Sequence, residues 1–122
     1  MMRVFATKAF NRFARSERIS HDKLCEAVDR ASRGVVDANL GGGLVKQRVA
    51  RPGQGRSGGY RTVIALRHLN RAVFLYGFAK SERDNISAAD LARLKKLAAL
   101  FLDASSDDLD GWCERGELEE VR

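Results

Sequence analysis

Apolar positions recur along the chain with two rhythms, one helical and one alternating. Val4 and Phe5 open as a short extended run, and Phe10, Phe13 and Ala14 then fall at helical spacing among Lys8, Arg12 and Arg15. This predicts a strand leading into a short amphipathic helix. A second helix follows. Ser20 is a good N-cap, Asp22 sits in the first turn where the helix dipole favours an anion, and Leu24, Ala27, Val28 and Ala31 share one face before Gly34 ends the element. The two helices read as a hairpin whose apolar side turns towards a sheet.

From Leu44 to Ala50 the rhythm becomes alternating, with Val45 and Val49 on one face and Lys46 and Arg48 on the other. Tyr60 to His68 alternates again and places Arg61, Val63, Ala65 and Arg67 together. After a turn at Asn70 and Arg71, the run Ala72 to Ala79 is apolar almost throughout, as expected of a central strand covered on both faces. Ser87 and Asp90 mark the start of a third helix, with Leu91, Leu94, Leu97, Ala98 and Phe101 on its apolar side. The last stretch is acidic but carries Leu109, Trp112, Leu118 and Val121. A short helix near residues 106–115 and a few extended residues over 117–121, docked on the rest of the chain, are expected there.

Length and composition narrow the classes. A chain of 122 residues and 13.5 kDa suits one domain with a single modest core. No stretch approaches the roughly 18 apolar residues of a membrane span, and the N-terminus lacks the apolar core of a signal peptide, so a cytoplasmic protein is expected. Cys25 and Cys113 stand apart, without a Cys-x-x-Cys motif or a nearby histidine pair, and support neither a disulfide framework nor a zinc site. No metal and no small-molecule cofactor is called for. The formal net charge of +6 conceals an asymmetry: residues 1–83 carry 17 Lys and Arg against 6 Asp and Glu, whereas residues 84–122 carry 5 against 10. A basic body points to a polyanionic partner, more often nucleic acid than membrane in a cytosolic protein. A plain surplus of solvated surface charge is the competing reading.

The stretch from Gly41 to Arg61 holds most of the glycines, the only proline and five cations, and reads as a mobile, phosphate-seeking segment. Lys46 and Arg48, on one side of a strand, would stand about 7 Å apart, close to the spacing of successive phosphates. The wet face of an antiparallel sheet would look the same. In the following stretch Gly53, Gly55, Gly58 and Gly59 let the backbone approach a ligand, while Arg51 and Arg56 supply charge. No Gly-Lys-Ser/Thr follows, so this is not the phosphate loop of a nucleotide hydrolase. Lys80 stands where the central strand meets water, and crowding by arginines would lower its pKa.

The order strand, two helices, three strands, helix, together with Gly-Gly-Leu-Val-Lys-Gln-Arg-Val-Ala, Gly-Gln-Gly-Arg-Ser-Gly-Gly-Tyr-Arg and Tyr-Gly-Phe-Ala-Lys-Ser-Glu-Arg-Asp-Asn-Ile, resembles the RelE/HigB-like toxins of bacterial type II toxin–antitoxin systems. The resemblance covers roughly residues 3–102. It implies a small α+β fold, mainly antiparallel sheet packed against an N-terminal helical hairpin and a C-terminal helix. Residues 1–102 would form the toxin domain and residues 103–122 an acidic extension. It further implies a metal-independent messenger-RNA endoribonuclease working in the ribosomal A site and silenced by a cognate antitoxin. In such a reaction the 2′-hydroxyl attacks the adjacent phosphorus, cations stabilise the added negative charge, and the 5′-oxygen is protonated as it leaves.

Carried over residue by residue, Arg61 would clamp the scissile phosphate with its two-pronged guanidinium, and Lys80 would serve as phosphate ligand or proton donor. Lys46 and Arg48 would grip the backbone or assist catalysis. Arg51, Arg56, Arg67 and Arg83 complete the candidate RNA-binding set, and Glu82 would orient a cation, accept a proton or simply pair on the surface. Relatives often use a late tyrosine or histidine. Here nothing aromatic and titratable follows Tyr76, which lies in an apolar run and reads as core, while His68 and His21 read as solvated residues at element ends. An arginine is no base, since its pKa stays above about 12, and the proton acceptor is left unassigned.

Two other functions fit the same residues. One is a ParE-type toxin that binds DNA gyrase and cuts no RNA; the other is a basic nucleic-acid-binding module without catalysis, against which the lack of a helix-turn-helix counts. From charge alone, the acidic tail is expected to lie across part of the basic face in the free protein.

Overall fold

The computed structural model of the protein describes residues 2–51, 59–79 and 85–122. In chain order its elements are β1 (Arg3–Thr7), α1 (Lys8–Ser16), α2 (His21–Ser32), β2 (Ala38–Gly41), β3 (Leu44–Val49), β4 (Tyr60–Arg67), β5 (Arg71–Ala79), α3 (Ala88–Asp103), α4 (Ser106–Glu114) and β6 (Leu118–Glu120). The strands form one sheet in the order β2-β3-β4-β5-β1-β6. Only β1 and β5 run parallel among these pairs; the others are antiparallel. This is the α+β architecture expected from the sequence, and the apolar run Ala72–Ala79 is, as anticipated, a strand inside the sheet.

Each face of the sheet is covered because β1, β3, β4 and β5 send apolar side chains to both sides. Val4, Ala6, Val45, Ile64 and Phe74 meet Phe10 and Ala14 of α1 and Leu24, Ala27 and Val28 of α2. On the opposite face Phe5, Leu44, Val63, Ala65 and Val73 meet Leu94, Ala98 and Phe101 of α3 and Leu109 of α4. Burial of these side chains is what chiefly stabilises the fold, at roughly 25 cal/mol per Å² of apolar surface removed from water.

The helix ends follow local chemistry. Ser20, Ser87 and Ser105 each accept a hydrogen bond from the backbone N–H three residues on, at Lys23, Asp90 and Asp108. Gly34, at φ +81°, receives the chain as α2 ends.

Part of the expected mobile segment is regular. Gly41, Gly42 and Gly43 all have positive φ, at +83°, +61° and +83°, and together turn β2 into β3 as a hairpin. A side chain at these angles is strained. The short, half-polar Ala38-Asn39-Leu40 run that pairs here carries no alternating apolar signal, which is why this strand is not predicted.

Candidate nucleic-acid interface

Three cations meet on one carboxylate at the β2–β3–β4 edge. Asp37 precedes β2 and extends its ladder, donating its backbone N–H to the Lys46 carbonyl at 2.9 Å. In the registers, Ala38 faces Lys46 and Arg48 faces Arg61. Alternation along β3 and β4 therefore puts Lys46, Arg48 and Arg61 on the face that also carries Leu44 and Val63. Asp37 Oδ1 accepts from Arg48 Nε at 2.8 Å, and its Oδ2 lies 3.4 Å from Arg61 Nε and 3.6 Å from Lys46 Nζ.

Burial tends to raise the Asp37 carboxyl, but the Arg48 hydrogen bond and the charges of Arg48, Lys46 and Arg61 outweigh it and hold the group below the ordinary carboxylate range. Like charges directly opposite each other on neighbouring strands repel. Asp37 offsets the repulsion between Arg48 and Arg61. Arg48 is the open member of the set, its side chain 45% exposed, whereas the side chains of Arg61 and Asp37 are 6% and 12% exposed.

The backbone beneath the cluster is tied to α2. Arg30 donates through Nη2 to the Arg48 carbonyl at 2.6 Å. Buried Gln47 donates to the carbonyls of Ala27 and Val35, and its own side-chain oxygen accepts from the Arg48 N–H. Thr62 Oγ1 closes the set on the Gln47 carbonyl. Arg30, Val35, Val36, Asp37, Gln47 and Arg48 line an adjoining cleft of about 310 Å³. Gly59 sets the other side. A Cβ there would run into the Val49 carbonyl and the Arg51 amide, so only glycine lets the chain enter β4 with Tyr60 opposite Val49 and hence Arg61 opposite Arg48.

The structure brings together Lys46, Arg48 and Arg61, and places the remaining described candidates elsewhere. Arg51 lies with its guanidinium 5.6 Å from the Tyr60 ring, on the side facing α1 and α2. Burial, followed by the neighbouring Glu17, pushes the Tyr60 phenol up, against the opposing influence of Arg51. Arg67 ends β4, about 20 Å along the strand from Arg61, and donates to the Leu102 carbonyl at the end of α3. His68 is exposed in the β4–β5 turn beyond it. His21 starts α2 and meets Glu119 at 3.2 Å. Tyr76 pairs in register with Val63 and packs half-buried against the core under α3, its ring 5.9 Å from Phe78. Lys80, Arg83, Arg56 and Glu82 lie outside the described residues.

The acidic tail differs from the charge-based expectation. β6 pairs with β1 at the far edge of the sheet, four strand spacings or about 19 Å from β3. Its carboxylates meet local partners there: Asp110 and Glu120 hold Arg3 at 2.6 and 2.8 Å, and Glu119 meets His21.

Asp37, Arg30 and Gln47 are the site residues that the sequence reading passes over. A signal for the first was present, since Asp37 is the only acidic residue between Asp29 and Glu82. A lone carboxylate in a long basic stretch is a natural partner for several cations. Nothing in the pattern marks Arg30 or Gln47, whose roles depend on the approach of α2 to β3.

No helix among the described residues is long and apolar enough to cross a membrane, and among them no group of three His, Cys, Asp or Glu could hold a metal ion. Among curated proteins none matches the chain significantly. The family model for the RelE toxin of the RelE/RelB toxin–antitoxin system matches residues 2–121, from β1 through β6. With nearly every residue inside that match and the expected α+β sheet in place, this chain belongs to the RelE toxin family, toxins that generally inhibit translation and that pair with a cognate antitoxin.

Proposed function

We propose that this toxin inhibits translation as a ribosome-dependent messenger-RNA endoribonuclease acting at the ribosomal A site. The observation that carries the reading is the convergence of Lys46, Arg48 and Arg61 on a single anion, the Asp37 carboxylate, within 3.6 Å. A site that concentrates three fixed cations around one oxyanion suits a phosphate that gains negative charge as it reacts. Stabilisation of that charge by preorganised donors usually contributes more to such catalysis than any other effect.

In this reaction the 2′-oxygen forms a bond to phosphorus, the bond from phosphorus to the 5′-oxygen breaks, and the products carry a 2′,3′-cyclic phosphate and a 5′-hydroxyl. Arg48, exposed and held through Nε by Asp37, presents its remaining N–H groups to the RNA backbone. Arg61, opposite it across the β3–β4 ladder, supplies the second guanidinium, and Lys46 adds a point charge at the same focus. Both imidazoles lie away from the cluster, so the Arg and Lys groups, not a histidine, carry the phosphate chemistry of this site.

The test is to add the protein to programmed ribosomes and, in parallel, to the same messenger without ribosomes, and to map new 5′ ends. Cleavage on ribosomes alone, reduced about 10²-fold or more by Arg61→Ala, is expected. Intact messenger in both arms from a protein that still arrests growth would overturn the proposal and leave a bound target such as gyrase.

A further inference from the structure

Asp37 has a position that neutralisation alone does not account for. It is the single carboxylate in a long basic stretch, it is mostly buried, and both of its oxygens face cations that arrive from two different strands. Its own backbone is fixed by the Lys46 carbonyl, so Asp37 is anchored to β3, the strand that carries two of the three cations it meets. Arg48 and Arg61 are directly opposed in register, and Asp37 places a negative charge against both.

We propose that Asp37 is the positioning residue of the phosphate site: its carboxylate aligns the Arg48 and Arg61 side chains and gathers Lys46 on the same focus. This rests on the nuclease reading for its catalytic consequence, but not for the alignment itself.

Two effects of opposite sign follow from removing the charge. The site becomes more cationic, so a polyanion binds more tightly and with a steeper dependence on salt. The donors lose their common geometry, so the stabilisation that depends on preorganisation falls. A residue needed only for folding would not produce this split.

The experiment compares wild type, Asp37→Asn and Asp37→Glu in three readouts. The first is the NMR signals of the Arg48 and Arg61 Nε–H groups. The second is affinity for a short single-stranded RNA with 2′-O-methyl riboses, which lacks the attacking hydroxyl. The third is kcat and KM on ribosome-bound messenger. For Asp37→Asn the Arg48 Nε–H signal should exchange more rapidly with water, since Asp37 accepts its hydrogen bond and the side chain is exposed, and the signal of the buried Arg61 Nε–H should shift. RNA affinity should rise about 3- to 10-fold with a salt slope steeper by about one unit, while kcat falls about 10- to 100-fold. Asp37→Glu should recover part of each change, and unfolding curves check that both variants fold.

Unchanged Nε–H signals in a folded Asp37→Asn variant would overturn the proposal. So would weaker RNA binding, which would place Asp37 on the RNA instead of on the cations. If the wild type cuts no messenger while the Nε–H signals and RNA affinity change as described, the nuclease reading fails and the positioning role stands.

Discussion

The surplus of arginine in this chain is partly structural, and Arg71 gives that statement a number. Arg71 begins β5, is 6% exposed, and reaches the end of α3, where Nη1 donates to the carbonyls of Phe101 and Ala104 while Nε donates to Asn70 Oδ1. α3 has no basic residue in its own last turn, so this guanidinium from the sheet supplies the charge that the helix C-terminus favours. Hydrogen bonds from a charged donor contribute about 1.5–3 kcal/mol each. Against this stands the cost of burying the guanidinium, whose pKa is lowered first by burial and then by Arg67 and Arg3. The balance for Arg71→Met, which keeps length and apolar stem, is a loss of about 3 kcal/mol. For a domain of this size that corresponds to a urea midpoint lower by about 2 M. Urea unfolding followed by circular dichroism measures it, with Arg71→Lys expected in between. A midpoint shift for Arg71→Met below about 0.3 M would refute the reasoning and return Arg71 to the pool of cations available to a partner.

Gly59→Ala should cost about 2–3 kcal/mol in urea unfolding, because the added methyl meets backbone at Val49 and Arg51 and no flexible side chain can yield. It should also lower activity beyond that loss by disturbing the Arg48–Arg61 register. Asp37 predicts an acid limb of stability. Its folded pKa lies below the ordinary carboxylate value, so its contribution is fully present above about pH 5 and is lost as pH falls towards the folded value. Urea unfolding across a pH series should show a shallower fall below about pH 4 for Asp37→Asn than for wild type.

Much of the architecture was legible because it depends on local rhythm. The apolar faces of α1, α2 and α3, the serine N-caps at Ser20 and Ser87, and the buried run of β5 are written in consecutive residues. β2 was not, since Ala38–Gly41 pairs through backbone groups and its glycine turn resembles a loop. The site was legible only in part. Alternation put Lys46 with Arg48 and Arg61 with Arg67 on their own strands, but the register that sets Arg48 against Arg61 is a long-range property. The same limit hid the capping roles of Arg67 and Arg71, whose partners lie on α3. Charge totals were the least informative guide: among the described residues, Asp110, Glu119 and Glu120 of the tail answer Arg3 and His21 at the β1 edge.

The most direct test of the central claim is the chemistry of the ends left on ribosome-bound messenger, read by mass spectrometry of the released fragments. Attack by the 2′-hydroxyl at a phosphate held by Lys46, Arg48 and Arg61 predicts a 2′,3′-cyclic phosphate on one fragment, a 5′-hydroxyl on the other, and no cut where the preceding ribose is 2′-O-methylated. Fragments ending in a 5′-phosphate, or cleavage that survives 2′-O-methylation, would contradict the account.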